Sequence, residues 1–184
     1  MSAELIGRDG GPRGLPTLYL VRSPNHYTYP LYPRGLVIHE TEGSYAGAVD
    51  WFSQTRSQVS AHLVLKEDGS EATQCVGWRY PAWHAVNANS HTIGIELAGM
   101  VGTPHASAQI LRAARICGFL CRRFGIPARQ GDGHGYGGIV RHRDLGTYGG
   151  NHSDPQGFNW NAFLAMVLVE VRRGGYRPVW GVDR

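Results

Sequence analysis

The run RHRDLGTYGGNHSDPQGFNW, residues 141–160, gathers His142, Asp144, His152 and Asp154 into a stretch too rich in glycine to form a helix. A core does not select such residues, and a plain surface loop has no need of two imidazoles. His142 closes a short apolar run, GIVRH, and a second histidine, His39, closes another, GLVIHET. Either one alone reads as a hydrogen-bonded core histidine. Together, two imidazoles at the ends of two strands can converge at one edge of a sheet. Asp154 adds a carboxylate on the loop after His142, and Pro155 stiffens that loop. Two imidazoles and a carboxylate, with a fourth position left for water, make an open metal site. The alternative for SDP is a turn or a helix start.

Glu96 is the next candidate. In TIGIEL, side chains alternate, so Ile93, Ile95 and Leu97 share one face and Thr92, Gly94 and Glu96 the other. Gly94 and Ala98 beside a carboxylate leave open space, as a general base facing a substrate requires. The competing reading is a salt-bridged glutamate on an edge strand.

These residues need a frame. GLVIHET (35–41) reads as a strand. SYAGAVDWFSQT (44–55) reads as a helix capped by Ser44, with Ala48, Trp51 and Phe52 at helical spacing. SAHLVLKEDGSEATQCV reads as a hairpin turning at Asp68-Gly69, and HTIGIELAG as another strand. SAQILRAARICGFLCRRFG reads as an amphipathic helix capped by Ser107 and stopped by Gly125 and Pro127. GIVRH is a short strand and NWNAFLAMVLVEVRR a final helix. Strands mixed with helices at this spacing predict an α/β single domain, a central mixed sheet flanked by helices. Residues 1–34, rich in Gly, Pro and Tyr, read as an extended arm packed on a body formed by 35–184.

Composition narrows the function classes. With 42% apolar and 17% charged residues the chain has the makeup of a globular domain, neither disordered nor coiled coil. A formal charge of +4 suits a polyanion, including cell wall. No arginine-rich tract or RNP-type pattern points to nucleic acid. No run is long enough to insert in a membrane, and the N-terminal residues lack a signal-peptide core. Synthesis in the cytoplasm is therefore expected, with release by another agent if the protein works on a wall. The three cysteines, Cys75, Cys117 and Cys121, fit neither a disulfide framework nor a thiolate finger, and the last two read as small core residues on a helix.

The segments LVIHET, VSAHLVLKEDG, AWHAVN, IGIELAG and HRDL…HSDP…FNW stand in the order and spacing of the zinc-dependent N-acetylmuramoyl-L-alanine amidases. That family takes in phage endolysins, recycling amidases and the peptidoglycan-recognition proteins, and the resemblance runs from about Ser23 to Phe163. It implies Zn2+ held by His39, His142 and Asp154, with Glu96 activating water. It also implies a peptide groove that includes Trp83 and His84. His62 matches a motif position but reads as structural. Two residues before the aspartate, where many relatives carry lysine, this chain has His152, expected to help a developing oxyanion as a neutral donor. The implied substrate is peptidoglycan or muropeptides, cut between N-acetylmuramic acid and L-alanine by a monomer. A phage-type endolysin is the expected setting. Recycling of soluble muropeptides and non-catalytic wall binding are the alternatives.

Overall fold

The computed structural model describes residues 4–5 and 15–173; parts of the expected arm (1–3 and 6–14) and the end of the expected body (174–184) lie outside the described residues. Seven strands form one mixed sheet: β1 (Glu4–Leu5), β2 (Thr17–Leu20), β3 (Gly35–Glu40), β4 (Leu63–Leu65), β5 (Glu71–Gln74), β6 (Thr92–Leu97) and β7 (Gly138–Arg141). Their spatial order is β1-β2-β5-β4-β6-β3-β7. The neighbours β4, β6, β3 and β7 run parallel, whereas β4 and β5 form the expected antiparallel hairpin. The arm segment is less separate than its composition implies, because β2 pairs parallel with β5.

Parallel strands are buried on both faces, and β3, β4 and β6 are buried at every position. One face, with Leu36, Ile38, Ile93, Ile95 and Leu97, packs on α2 (Ser107–Phe124) and α3 (Trp160–Arg173). Cys117 and Cys121 are free, buried thiols within that layer, as their helical spacing predicts. The two helices cross closely because Gly118 lacks a side chain; a Cβ there would lie 2.6 Å from Glu170 Cβ. The opposite face carries Val37 and Val140, which pack with Ala88 and Leu145 from two short 3-10 segments, Val86–Ser90 and His142–Gly149, and with Ala85 just before the first. That second face holds the candidate site.

Two local expectations are corrected. Extended backbone at Ala106 makes that residue the N-cap of α2, so Ser107 is already helical and caps nothing. The helix α1 (Tyr45–Phe52) is capped by Ser44 as expected, but Trp51 is exposed beside a cleft rather than packed with buried Phe52. The C-terminal stop of α2 at Gly125, in the left-handed conformation, agrees with the expectation. Among the described residues no helix is long and apolar enough to cross a membrane.

Candidate metal centre

Register builds the centre. In the β3/β6 pair His39 stands opposite Glu96, so both side chains emerge from the same face. The β3/β7 pair ends with Ile38 opposite Arg141, which brings His142 alongside His39 as the chain leaves the sheet. Asp154 arrives from the following loop. Its carboxylate accepts from the Glu40 N–H at 3.1 Å, and its backbone carbonyl accepts from the Arg143 N–H at 2.8 Å. One ligand atom from each of His39, His142 and Asp154 lies within 4.8 Å of the others, and all three residues are buried.

The outer nitrogens of the two rings show which atoms face inward. His142 Nε2 lies 2.8 Å from the Gly149 carbonyl, which only accepts, so this ring is protonated on Nε2 and its Nδ1 is bare. His39 Nε2 lies 2.9 Å from His84 Nδ1, and His84 Nε2 lies 3.4 Å from the Thr92 carbonyl. That carbonyl calls for Nε2–H on His84, which leaves His84 Nδ1 to accept from His39 Nε2–H. His39 Nδ1 is then bare as well. The two Nδ1 atoms face each other at 2.9 Å, with Asp154 oxygens 3.3 Å from His142 and 3.8 Å from His39. Three converging acceptors repel one another unless a proton or a metal cation sits among them. The donor set therefore fits a divalent metal, and its N, N, O composition suits zinc.

Burial holds the His39 and His84 imidazoles well below the usual histidine range, reinforced by the neighbouring rings, so both are neutral. For Asp154, burial pushes the carboxyl up, but hydrogen bonds to it, the Glu40 N–H among them, outweigh that and the net displacement is downward. Glu96 behaves oppositely. Desolvation, followed by the charges of Asp154 and Glu40, raises its carboxyl well above the usual range. Its Oε2 is buried with no hydrogen-bond partner among the described residues. A carboxyl so placed keeps a proton more readily than a solvated one, the environment in which a carboxyl can exchange protons with a bound reactant.

The space expected beside Glu96 is only partly open. The room that Gly94 leaves is filled by the His84 ring, since a Cβ there would meet His84 Cγ at 2.6 Å. His84 thus lines the cleft and also orients His39. Asn89 secures it, accepting from the N–H groups of His84 and Ala85 at 2.9 and 2.6 Å. His62 is structural: its Nδ1 accepts from Gly94 N–H at 3.0 Å, its Nε2 donates to Tyr80 O, and burial drives it down to about 3. Asp144 does not join the centre; it forms a bidentate pair with Arg141, at 2.8 and 2.9 Å. His152 stacks on His142 at 3.9 Å with its side chain 54% exposed, and its Nδ1 is 3.6 Å from Asp154, too far for a hydrogen bond. Burial and the His142 ring lower its proton affinity, against the opposing pull of Asp154, which favours the neutral ring.

Sequence reasoning missed a buried support. His105 Nε2 lies 2.8 Å from Glu40 Oε1, and His105 Nδ1 lies 2.7 Å from Gln109 Oε1. Glu40 Oε2 accepts from Gln156 N–H, just beyond Asp154. This chain ties α2 to the ligand loop, and no local spacing announces it.

The centre lies in a cleft of about 810 Å³ that includes His39, Glu96, His142, His152 and Asp154, with Trp83 and Trp51 among its walls. In chelator-treated protein the raised carboxyl of Glu96 works against folding as pH rises. Its folded value exceeds the unfolded one, so its contribution is fully favourable below the unfolded value and is lost through the folded value. Glu96→Gln should therefore melt higher than the parent at about pH 7.5, with the gap closing toward about pH 4. A gap independent of pH in thermal denaturation would show that Glu96 is not destabilised by burial.

The sequence profile of the N-acetylmuramoyl-L-alanine amidases matches residues 29–157. N-acetylmuramoyl-L-alanine amidase A of Achromobacter lyticus is 32% identical over 157 residues, 79% of this chain and 89% of that protein. The 1,6-anhydro-N-acetylmuramyl-L-alanine amidase AmpD of Enterobacter cloacae is 29% identical, over 60% of this chain and 58% of its own length. In three dimensions the fold matches the Staphylococcus aureus hydrolase AmiA with a TM-score of 0.71 at 16% identity, covering 85% and 84% of the two chains. It matches a mutant endolysin from Bacillus subtilis with a TM-score of 0.64 at 17% identity, covering 83% and 99%. With the family profile spanning most of its length, the chain belongs to the N-acetylmuramoyl-L-alanine amidase family.

Proposed function

We propose that the chain hydrolyses the amide between N-acetylmuramic acid and L-alanine in peptidoglycan, with zinc as its metal, in the setting of a wall-degrading endolysin. The observation that carries this reading is the convergence of His39, His142 and Asp154 next to the buried Glu96, whose carboxyl is raised above its usual range, on the floor of an open cleft. The full ligand set speaks against a wall-binding module without catalysis, and a purely structural metal would leave Glu96 without a role. A cleft flanked by the exposed aromatic side chains of Trp51 and Tyr27 favours a polymeric wall substrate over a small soluble fragment.

His39 and His142, through Nδ1, and Asp154, through its carboxylate, would hold the zinc. Zinc there supplies Lewis acidity, polarising the amide carbonyl and easing the loss of a proton from water. Glu96 accepts that proton as the water oxygen bonds to the carbonyl carbon. It then delivers the proton to the departing L-alanine nitrogen as the C–N bond breaks. His152, neutral and half exposed, donates a ring N–H to the oxyanion. His84 and the Gly149 carbonyl hold the ligand rings in the tautomer that keeps both Nδ1 atoms bare.

Digestion of purified peptidoglycan should release new L-alanine amino groups and no new reducing ends. A chelator should stop the release and added zinc restore it. His142→Ala should lose most of its zinc in metal analysis. New reducing ends, or full zinc retention in His142→Ala, would overturn the reaction or the ligand assignment respectively.

His152→Ala should retain zinc and lower turnover by roughly 10²- to 10³-fold, the effect of a lost oxyanion donor. Because the ring acts uncharged, the parent's activity should hold as pH rises through neutrality. Loss of metal from His152→Ala but not from Asp154→Ala would make His152 the third ligand instead.

A further inference from the structure

The segment before β3 is fastened on both sides. The buried Asn25 amide donates to the carbonyls of Gln54 and Val59, at 2.9 and 3.1 Å, and to Ser57 Oγ at 2.7 Å. Farther along, Tyr27 N–H donates to Pro81 O at 2.9 Å and Leu31 N–H to Arg79 O at 2.7 Å. The backbone so fastened leaves Tyr27 and Tyr29 39% and 47% exposed. Their rings stack with centroids 5.2 Å apart, inclined by 29°, and Tyr27 meets Trp83 edge-on at 5.7 Å. Tyr27 and Trp83 line the same cleft as His39 and Glu96, and Tyr29 continues the row.

Aromatic rings fixed in place and left in water mark a contact surface. The row carries no charge, so it offers no ion pair to the ionised groups of a peptide. It does match a neutral pyranose, whose C–H face stacks on an aromatic ring while its hydroxyls reach phenol oxygens. Any cleft that cuts an amide joining a sugar to a peptide must receive the sugar on one side. We propose that Tyr29, Tyr27 and Trp83 form a stacking platform for pyranose rings of the wall glycan, extending the site past the amino sugar that bears the scissile amide. The proposal rests on the amidase reading of the cleft. It gives the arm a role in selecting polymeric wall.

The test uses the full chain and a peptide-free probe, the β-1,4-linked tetramer of N-acetylglucosamine, followed by tryptophan fluorescence and ligand-observed NMR. Saturable binding is expected. Tyr29→Ala should weaken it roughly three- to tenfold, Tyr29→Phe should retain it within about twofold, and Tyr27→Ala/Tyr29→Ala should remove it. Tyr29→Ala should also raise KM for insoluble wall more than KM for a single-sugar muropeptide. No saturable binding by the parent, or equal binding by the parent and the double variant, overturns the platform. Cleavage of the muropeptide without tetramer binding sinks the platform alone. Tetramer binding without release of L-alanine amines from any substrate supports the platform and sinks the amidase reading.

Discussion

Three acceptors held face to face in a buried pocket set the terms for the rest of this structure. Two bare imidazole nitrogens 2.9 Å apart, with a carboxylate oxygen 3.3 Å from one of them, repel each other in a medium that screens charge poorly. Without a cation such an arrangement relaxes by shifting a proton or rotating a ring. The fold opposes both by occupying the outer nitrogen of each ring, His39 with His84 and His142 with the Gly149 carbonyl, which leaves a cation between the inner nitrogens as the remaining relief. The candidate metal site is thus specified from behind as much as from in front.

The parallel arrangement of β6, β3 and β7 makes that possible. Parallel strands all present their C-terminal ends at the same edge, so His39, Glu96 and His142 reach one place without long side chains. Each lies on the face away from α2 and α3, which frees that face to be polar while the other supplies the apolar core. Glu40 then serves both layers. Its N–H fixes Asp154, its carboxylate reaches Gln156 N–H, and His105 braces it from the start of the α2 segment. Glu96 is the cost of this placement. A carboxyl enclosed with two others resists ionisation, and in the proposed reaction that same resistance suits it to carry a proton between water and a leaving amine.

Much of this was legible in the sequence because the informative signals are local. Apolar runs ending in histidine marked β3 and β7, alternation put Glu96 opposite the core face, and helical periodicity found α2. The unread parts involve groups without a local signature. Gly149 acts through a backbone carbonyl that any residue supplies. His105 and Glu40 are brought together across 65 positions by the packing of α2, and neither spacing nor composition records that. His84 read as a groove wall because its second task depends on Gly94, a residue whose missing side chain appeared as empty space until the ring was seen to fill it. Asp144, of the same residue type and in the same run as Asp154, forms a bidentate pair with Arg141 that is a local helix-start contact. The arm's composition hid β2, whose four residues join the sheet through a distant strand rather than a neighbour in sequence.

The central claim is that His39 and His142 both present Nδ1 to a metal while their Nε2 protons are held by the protein. Long-range 1H–15N correlation spectra of the histidine rings in zinc-loaded protein read this directly. The account predicts a proton on Nε2 and a coordinated Nδ1 for both residues, with both Nε2 protons slow to exchange because His84 and the Gly149 carbonyl hold them. A proton on Nδ1 of either ring, or coordination through Nε2, would contradict it.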